Sequence, residues 1–160
     1  MERLVEQYGT MVVRQAYFYL RDRHRAEDIA QEVFLRVYKK QPELPDEQSE
    51  KAYLIRVTIN ACKDVLKSAW NRRVSSMPEE YDTPSGGETP EESYIADEGK
   101  SKLFNTVLSL PEIYKDVVIL FYYHDMSTAQ IAKTLQVPEV TVRTRLMRAR
   151  KKLAEILEGE

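Results

Sequence analysis

The chain is poor in the residues that do chemistry. Its 160 residues include one cysteine and two histidines. A lone Cys62 excludes an intrachain disulfide and a cysteine cage for a metal, and its helical surroundings make it a packed thiol. His24 and His124 have neither acid nor thiol at metal-ligand spacing, so both read as surface or boundary residues. Glycines number five, and the pair Gly86–Gly87 follows no strand and cannot cradle a phosphate. With no nucleophile–base pair either, neither catalysis, a metal nor a cofactor is expected. No apolar run reaches membrane-spanning length and no signal peptide is present. That points to a reducing, soluble compartment, the cytoplasm, without direct membrane binding. A last scarcity is local: residues 74–99 contain no Lys or Arg.

That local gap is the informative one. The net charge of −2 hides a segregated chain, and segregation rather than the total bears on partners. Residues 74–99 hold eight acids together with Pro78, Pro84 and Pro90. Such a composition cannot bury enough apolar surface to order itself, so an acidic linker, disordered in isolation, is expected there. Residues 138–153 hold six cations against the single acid Glu139.

The linker separates two helical patterns. In residues 1–73, apolar positions Leu4, Val5, Tyr8, Val12, Ala16, Tyr19 and Leu20 predict a first amphipathic helix, weakened by Gly9. After a charged connection at Asp22–Arg25, a second helix is expected from about Ala26 to Lys40, with Ile29, Ala30, Val33, Phe34 and Val37 inward. Asp28, Gln31, Glu32 and Arg36 face elsewhere, which on pattern alone is a solvated face. A loop from Gln41 to Ser49, marked by Pro42 and Pro45, leads to a third helix over residues 50–70. It turns Tyr53, Leu54, Val57, Ala61, Val65 and Leu66 inward and carries Arg56, Asn60, Lys63 and Lys67, with Arg72 and Arg73 just beyond. Three such helices make a compact bundle.

Residues 100–160 read as four helices. The first has Leu103, Phe104, Val107 and Leu108 inward. Pro111 opens a strongly apolar second helix through Tyr114, Val117, Val118, Phe121 and Tyr122. Ser127 and Gln130 then form a capping box, S-x-x-Q, with Ile131 and Leu135 inward and the small Ala132 at the expected crossing. A connection of about QVPEV precedes the last helix, whose Val142, Leu146, Ala149 and Leu153 recur at the 4, 3, 4 spacing of one buried face. This is a helix-turn-helix. Thr141, Arg143, Thr144, Met147 and Arg148 suit base edges, offering bidentate forks for guanine and small groups for thymine methyls. Arg145, Arg150, Lys151 and Lys152 suit phosphates.

In order and spacing, AEDIAQEVFLRVYKK, then AYLIRVTINACKDVLKS, an acidic linker, and LPEIYKDVVILFYYHDMSTAQIAKTLQVPEVTVRTRLMRARKKL resemble a bacterial RNA polymerase sigma factor. The likeness is to the extracytoplasmic-function (ECF) group of the sigma-70 family and covers nearly the whole chain outside the linker. It implies an all-α fold of two small domains: region 2 at 1–73, the linker at 74–99 and region 4 at 100–160. The implied activity is transcription initiation, with core RNA polymerase as partner at its clamp helices and flap. Asp28, Gln31 and Glu32 would dock on the clamp helices. The Pro42–Ser49 loop would receive a flipped base of the −10 promoter element, at which Asn60 also acts, while Arg56, Lys63, Lys67, Arg72 and Arg73 hold phosphates. The last helix would read the −35 element as duplex, through Thr141, Arg143, Thr144, Arg145, Met147, Arg148 and Lys151. The linker would thread toward the polymerase active site, its acids mimicking nucleic acid. An anti-sigma factor, often membrane-anchored in such proteins, is implied as a further partner. The chain departs from the family's frequent pattern at Asp125 and Val140, often Gly, and at Tyr53, commonly Trp. Two competing readings are a stand-alone helix-turn-helix regulator and an interaction module without promoter activity.

Overall fold

The computed structural model describes the backbone of residues 1–76 and 98–159 and the side chains of residues 1–72 and 102–159. Most of the acidic interval expected as a linker, residues 77–97, lies outside the described residues. All described regular structure is helical: α1 (Glu2–Leu20), α2 (Arg23–Lys40), α3 (Glu47–Ser76), α4 (Glu98–Ser109), α5 (Glu112–Val118, continued by a π-helical turn over Ile119–Tyr123), α6 (Thr128–Leu135) and α7 (Glu139–Glu158). The all-α, two-domain class is therefore observed. The chain divides into two compact units, Met1–Gly87 and Glu88–Glu160.

In the first unit α1, α2 and α3 pack on one another around Val12, Ala16, Val33, Leu54, Ile55 and Cys62, all essentially inaccessible to water. Cys62 is the packed thiol expected from its setting. Both later helices start earlier than the apolar periodicity suggests, because aspartates cap them. Asp22 Oδ1 accepts the Arg25 N–H at 3.2 Å, so Arg23–Arg25 belong to α2 rather than to a connection. Asp46 Oδ1 accepts the Ser49 N–H at 2.8 Å, so Glu47–Ser49 belong to α3 rather than to the loop. A side-chain oxygen satisfying an orphan N–H of the first turn is what lets a helix begin there. Gly9 does not interrupt α1, and Val5, expected inward, is 44% exposed near the fraying end. In α3 the buried stripe is wider than expected and also takes Thr58 and Ile59.

In the second unit Leu120, Ile131 and Val142 are fully buried, and Leu110, Val118 and Ala149 form a cluster flanked by Val107, Tyr114 and Leu153. Leu103 and Tyr122, both expected inward, are exposed. For Tyr122 the cause is the π-helical turn, in which the His124 N–H bonds the Ile119 carbonyl at 3.2 Å. The wider turn rotates the register, so Ile119 and Leu120 face the core in place of Phe121 and Tyr122. His124, expected at a surface or boundary, is buried. The capping box is formed in both directions: Ser127 Oγ accepts the Gln130 N–H at 3.1 Å and Gln130 Oε1 accepts the Ser127 N–H at 2.9 Å. The turn between α6 and α7 is three residues, Gln136–Pro138, not five. Gln136 adopts φ 59° and the Val137 N–H bonds the Ala132 carbonyl at 3.0 Å, a left-handed closure that spends no further residues.

Candidate nucleic-acid and protein interfaces

The helix-turn-helix is braced by an acid at its elbow. Glu139 Oε2, in the first turn of α7, accepts the Thr128 hydroxyl of α6 at 2.7 Å and pairs with Arg143 at 3.1 Å. That one carboxylate joins the two helices and also orients a guanidinium of the outer face. Val142, Leu146 and Ala149 are buried, and the 3.6-residue repeat then places Val140, Thr144, Met147, Arg148 and Lys151 on the far side. Val140 and Met147 are large apolar side chains of this outer face, each 62% exposed. Thr144 donates its hydroxyl to the Val140 carbonyl at 3.0 Å. A shallow groove runs between Ile113 and Tyr114 of α5 and Val140, Thr141, Thr144, Arg145 and Arg148 of α7.

The cations of α7 are not equivalent. Arg150 Nε donates to the Tyr122 hydroxyl at 2.6 Å, and its guanidinium lies 5.4 Å from the Phe121 ring centre and 5.6 Å from that of Tyr122. The π-helical turn presents both rings to it. Lys152 Nζ lies 5.7 Å over the Tyr114 ring. These two cations, read from sequence as phosphate contacts, are drawn onto the aromatic flanks of their own unit. Arg148 and Lys151 remain on the exposed face, and Arg145 is half-buried at the groove.

In α3, Arg56, Asn60, Lys63 and Lys67 follow a 4, 3, 4 spacing and so share one side of the helix, turned away from the buried Leu54, Thr58 and Cys62. Arg72 falls on another side and lines a groove with Glu32 and Arg36 of α2 and with Asp64 of α3. Arg73 lies within α3, and its side chain is outside the described set.

Asp28, Gln31 and Glu32 are all exposed on α2, with Glu32 paired to Arg36 at 2.8 Å. Among them stands Leu35, 59% exposed, and a turn further on Tyr38, 58% exposed. Reasoning from sequence passed over both. The signal was present, since Leu35 lies 7, 4 and 3 residues after Asp28, Gln31 and Glu32 and off the Ile29–Val33–Val37 stripe.

The loop between α2 and α3 is held at both ends. Gln41, at φ 44°, closes α2 through its N–H to the Val37 carbonyl at 2.9 Å. At the other end α1 reaches the start of α3. Glu50, nearly buried, receives both guanidinium nitrogens of Arg3 and the Tyr8 hydroxyl, which also contacts the Glu47 carbonyl at 3.3 Å. The guanidinium holds the Glu50 carboxyl below the usual carboxylate range, and Glu50 in turn raises Arg3. Burial first, then Glu50, pushes the Tyr8 hydroxyl up. Sequence reasoning missed this cluster because Arg3 and Tyr8 on α1 lie 39 to 47 residues from their partners Glu47 and Glu50 on α3. Among the described residues no group of His, Cys, Asp and Glu could hold a metal ion, and no helix is long and apolar enough to cross a membrane.

Comparison with known proteins bears on all of these faces. Residues 4–72 match the family described as Sigma-70 region 2, and residues 101–153 match Sigma-70, region 4. The ECF RNA polymerase sigma factor SigE of Mycolicibacterium smegmatis is 32% identical over 98% of this chain, which spans 61% of that relative's length. SigW of Bacillus subtilis is 26% identical over 96% of the chain and 87% of its own length. In fold, the chain is similar to the sigma factor RpoE of Bartonella quintana, solved with the anti-sigma factor NepR (TM-score 0.75, 16% identity, 98% of this chain and 96% of that one). It is also similar to CnrH, solved with the cytosolic domain of CnrY (TM-score 0.68, 18% identity, 99% and 88%).

Proposed function

Because the chain belongs to the extracytoplasmic-function group of the sigma-70 family, we propose that it binds core RNA polymerase and directs it to specific promoters. The observation that carries this reading is a separate cationic face in each matched region, the Arg56–Lys67 stripe of α3 and the outer face of α7. One protein that must hold two elements of a promoter at once needs two such faces.

Each face then has a task set by its chemistry. On α7, Arg143, Arg148, Met147, Thr141 and Thr144 read the −35 element as intact duplex, while Arg145 and Lys151 hold its phosphates. On α3, Arg56, Lys63 and Lys67 hold the strand at the −10 element beside Asn60, with Arg72 and Arg73 further along the helix. The Gln41–Asp46 loop receives a flipped base. Extrusion costs a few kcal/mol, so the receiving loop must already be shaped, and the two anchors described above supply that. Asp28, Gln31 and Glu32 dock on the polymerase clamp helices, with Leu35 as the apolar centre of the contact, a ring of polar groups around one desolvated anchor. Region 4 meets the polymerase flap.

The domain limits proposed for these tasks are 1–73, 74–99 and 100–160. The chain acts as an initiation factor without catalysis of its own, in the cytoplasm, where bacterial core polymerase works. An anti-sigma factor is a further proposed partner, of the kind with which the similar RpoE was solved. The test is promoter-specific run-off transcription with purified core polymerase, with and without the chain. Defined transcripts that need the chain are expected. Failure to initiate from any member of a genomic promoter library would overturn the reading and leave a stand-alone regulator or a bare interaction module.

A further inference from the structure

The stripe on α3 does not end at Lys67. Arg56, Asn60, Lys63 and Lys67 are spaced 4, 3, 4, and the next step of three lands on Trp70, the chain's sole tryptophan. Its side chain is 61% exposed, among the most exposed large apolar side chains of the protein. Scattered exposed apolar residues are ordinary on a surface. An indole in register with three cations and an amide is not scattered: Asn60, Lys67 and Trp70 are exposed and Arg56 and Lys63 half-buried, on the side of α3 turned away from the buried Leu54, Thr58 and Cys62.

We infer that Trp70 is a base-stacking residue that extends the single-strand face of α3 beyond Asn60. Resting on the promoter-opening function proposed above, this inference adds a contact to it. The chemistry favours nucleic acid over a protein partner, since Lys63 and Lys67, two turns and one turn before the indole, select a polyanion and an exposed planar aromatic beside them takes the π-face of any base. It favours an unpaired base over duplex, whose base faces are already stacked. Ten residues of helix separate Asn60 from Trp70, about 15 Å along the axis at 1.5 Å per residue. The indole therefore lies several nucleotides from the base that Asn60 serves, where an opened strand has an edge to be held.

Because Trp70 is the sole tryptophan, emission excited at the red edge of the absorption band, where the tyrosines do not absorb, reports on this side chain alone. The probes are single-stranded dT20 and the dA20·dT20 duplex at low salt, dT20 being suitable because stacking tolerates any base. Strong quenching by dT20, and several-fold less by duplex at equal occupancy, is expected. Trp70→Ala should weaken dT20 binding about five-fold or more, with Trp70→Phe recovering most of it. Equal quenching by duplex, unchanged emission at saturation, or an unweakened Trp70→Ala variant would each overturn the inference. So would a Trp70→Ala variant that loses core-polymerase affinity instead. In the run-off assay Trp70→Ala holoenzyme should open promoters less well, with Trp70→Phe close to the parent. Run-off by the parent chain with no effect at Trp70 sinks the stacking role alone, whereas a parent chain that directs no transcript sinks the proposed function and leaves the dT20 result to stand by itself.

Discussion

Arg148 and Arg150 are two residues apart on one basic helix, and charge counting treats them alike. The structure separates them. Arg148 sits at the exposed groove of α7, whereas Arg150 is bonded to the Tyr122 hydroxyl at 2.6 Å and lies over the rings of Phe121 and Tyr122. Arg148→Ala should remove a base-edge contact worth about 1–3 kcal/mol, or about 5- to 150-fold, in discrimination between a matched and a mismatched −35 element. Its melting temperature should stay near the parent's, since an exposed substitution costs within about 0.5 kcal/mol. Arg150→Ala should do the reverse. A solvent-exposed cation–π contact contributes about 0.5–1 kcal/mol, and the hydrogen bond a comparable amount after competition with water. A loss of about 1 kcal/mol lowers the melting temperature of a small unit by about 4–8 °C. Discrimination at the −35 element should be retained below that transition. Calorimetry on both variants, with run-off transcription from paired promoters, decides the matter. An Arg150→Ala variant with unchanged melting and lost −35 discrimination would refute the assignment of that side chain to the aromatic flank.

Leu35→Asp should lower core-polymerase affinity at least ten-fold in a competition assay, with little change in melting, because it places a charge at the apolar centre of a polar ring. Asn60→Ala should slow promoter opening, followed by permanganate reactivity, while closed-complex binding is largely retained; parallel losses would contradict the division of labour between α3 and α7. Glu50 has a depressed folded-state value, so its pairing with Arg3 stabilises the protein above the ordinary 4.5 and is lost as pH falls through the depressed value. Glu50→Gln should therefore melt below the parent at pH 7, with the gap closing as pH falls below the ordinary 4.5 and through the depressed value; a gap independent of pH would refute the ion-pair account.

The helices and most of their inner faces were legible from periodicity, as Val33 and Val37 in α2 and Val142, Leu146 and Ala149 in α7 illustrate. Two kinds of feature were not. Local side-chain chemistry moved the boundaries: Asp22 and Asp46 begin helices before the apolar repeat starts, and a repeat cannot register a cap. A single widened turn at Ile119–Tyr123 shifted Tyr122 outward, and no spacing rule anticipates an inserted residue. The interfaces were half legible. The polar positions of α2 and α3 could be counted, but Leu35 and Trp70 were passed over until exposure placed them among those polar groups. The Arg3–Tyr8–Glu50 cluster depends on α1 meeting α3, which is knowledge of tertiary structure.

Four junctions share an unusual trait: Arg21, Gln41, Asp125 and Gln136 all hold positive φ, and none is glycine. A side chain in the left-handed region costs about 1–2 kcal/mol, only part of which glycine would return, given its greater freedom when unfolded. The chain thus carries an unspent reserve of stability at its corners. A more heat-resistant version could be reached by substituting corners alone, with the promoter-reading and polymerase-docking side chains untouched. Substitution at these four sites has room to tune how long the folded protein persists without touching the faces proposed to bind promoter and polymerase.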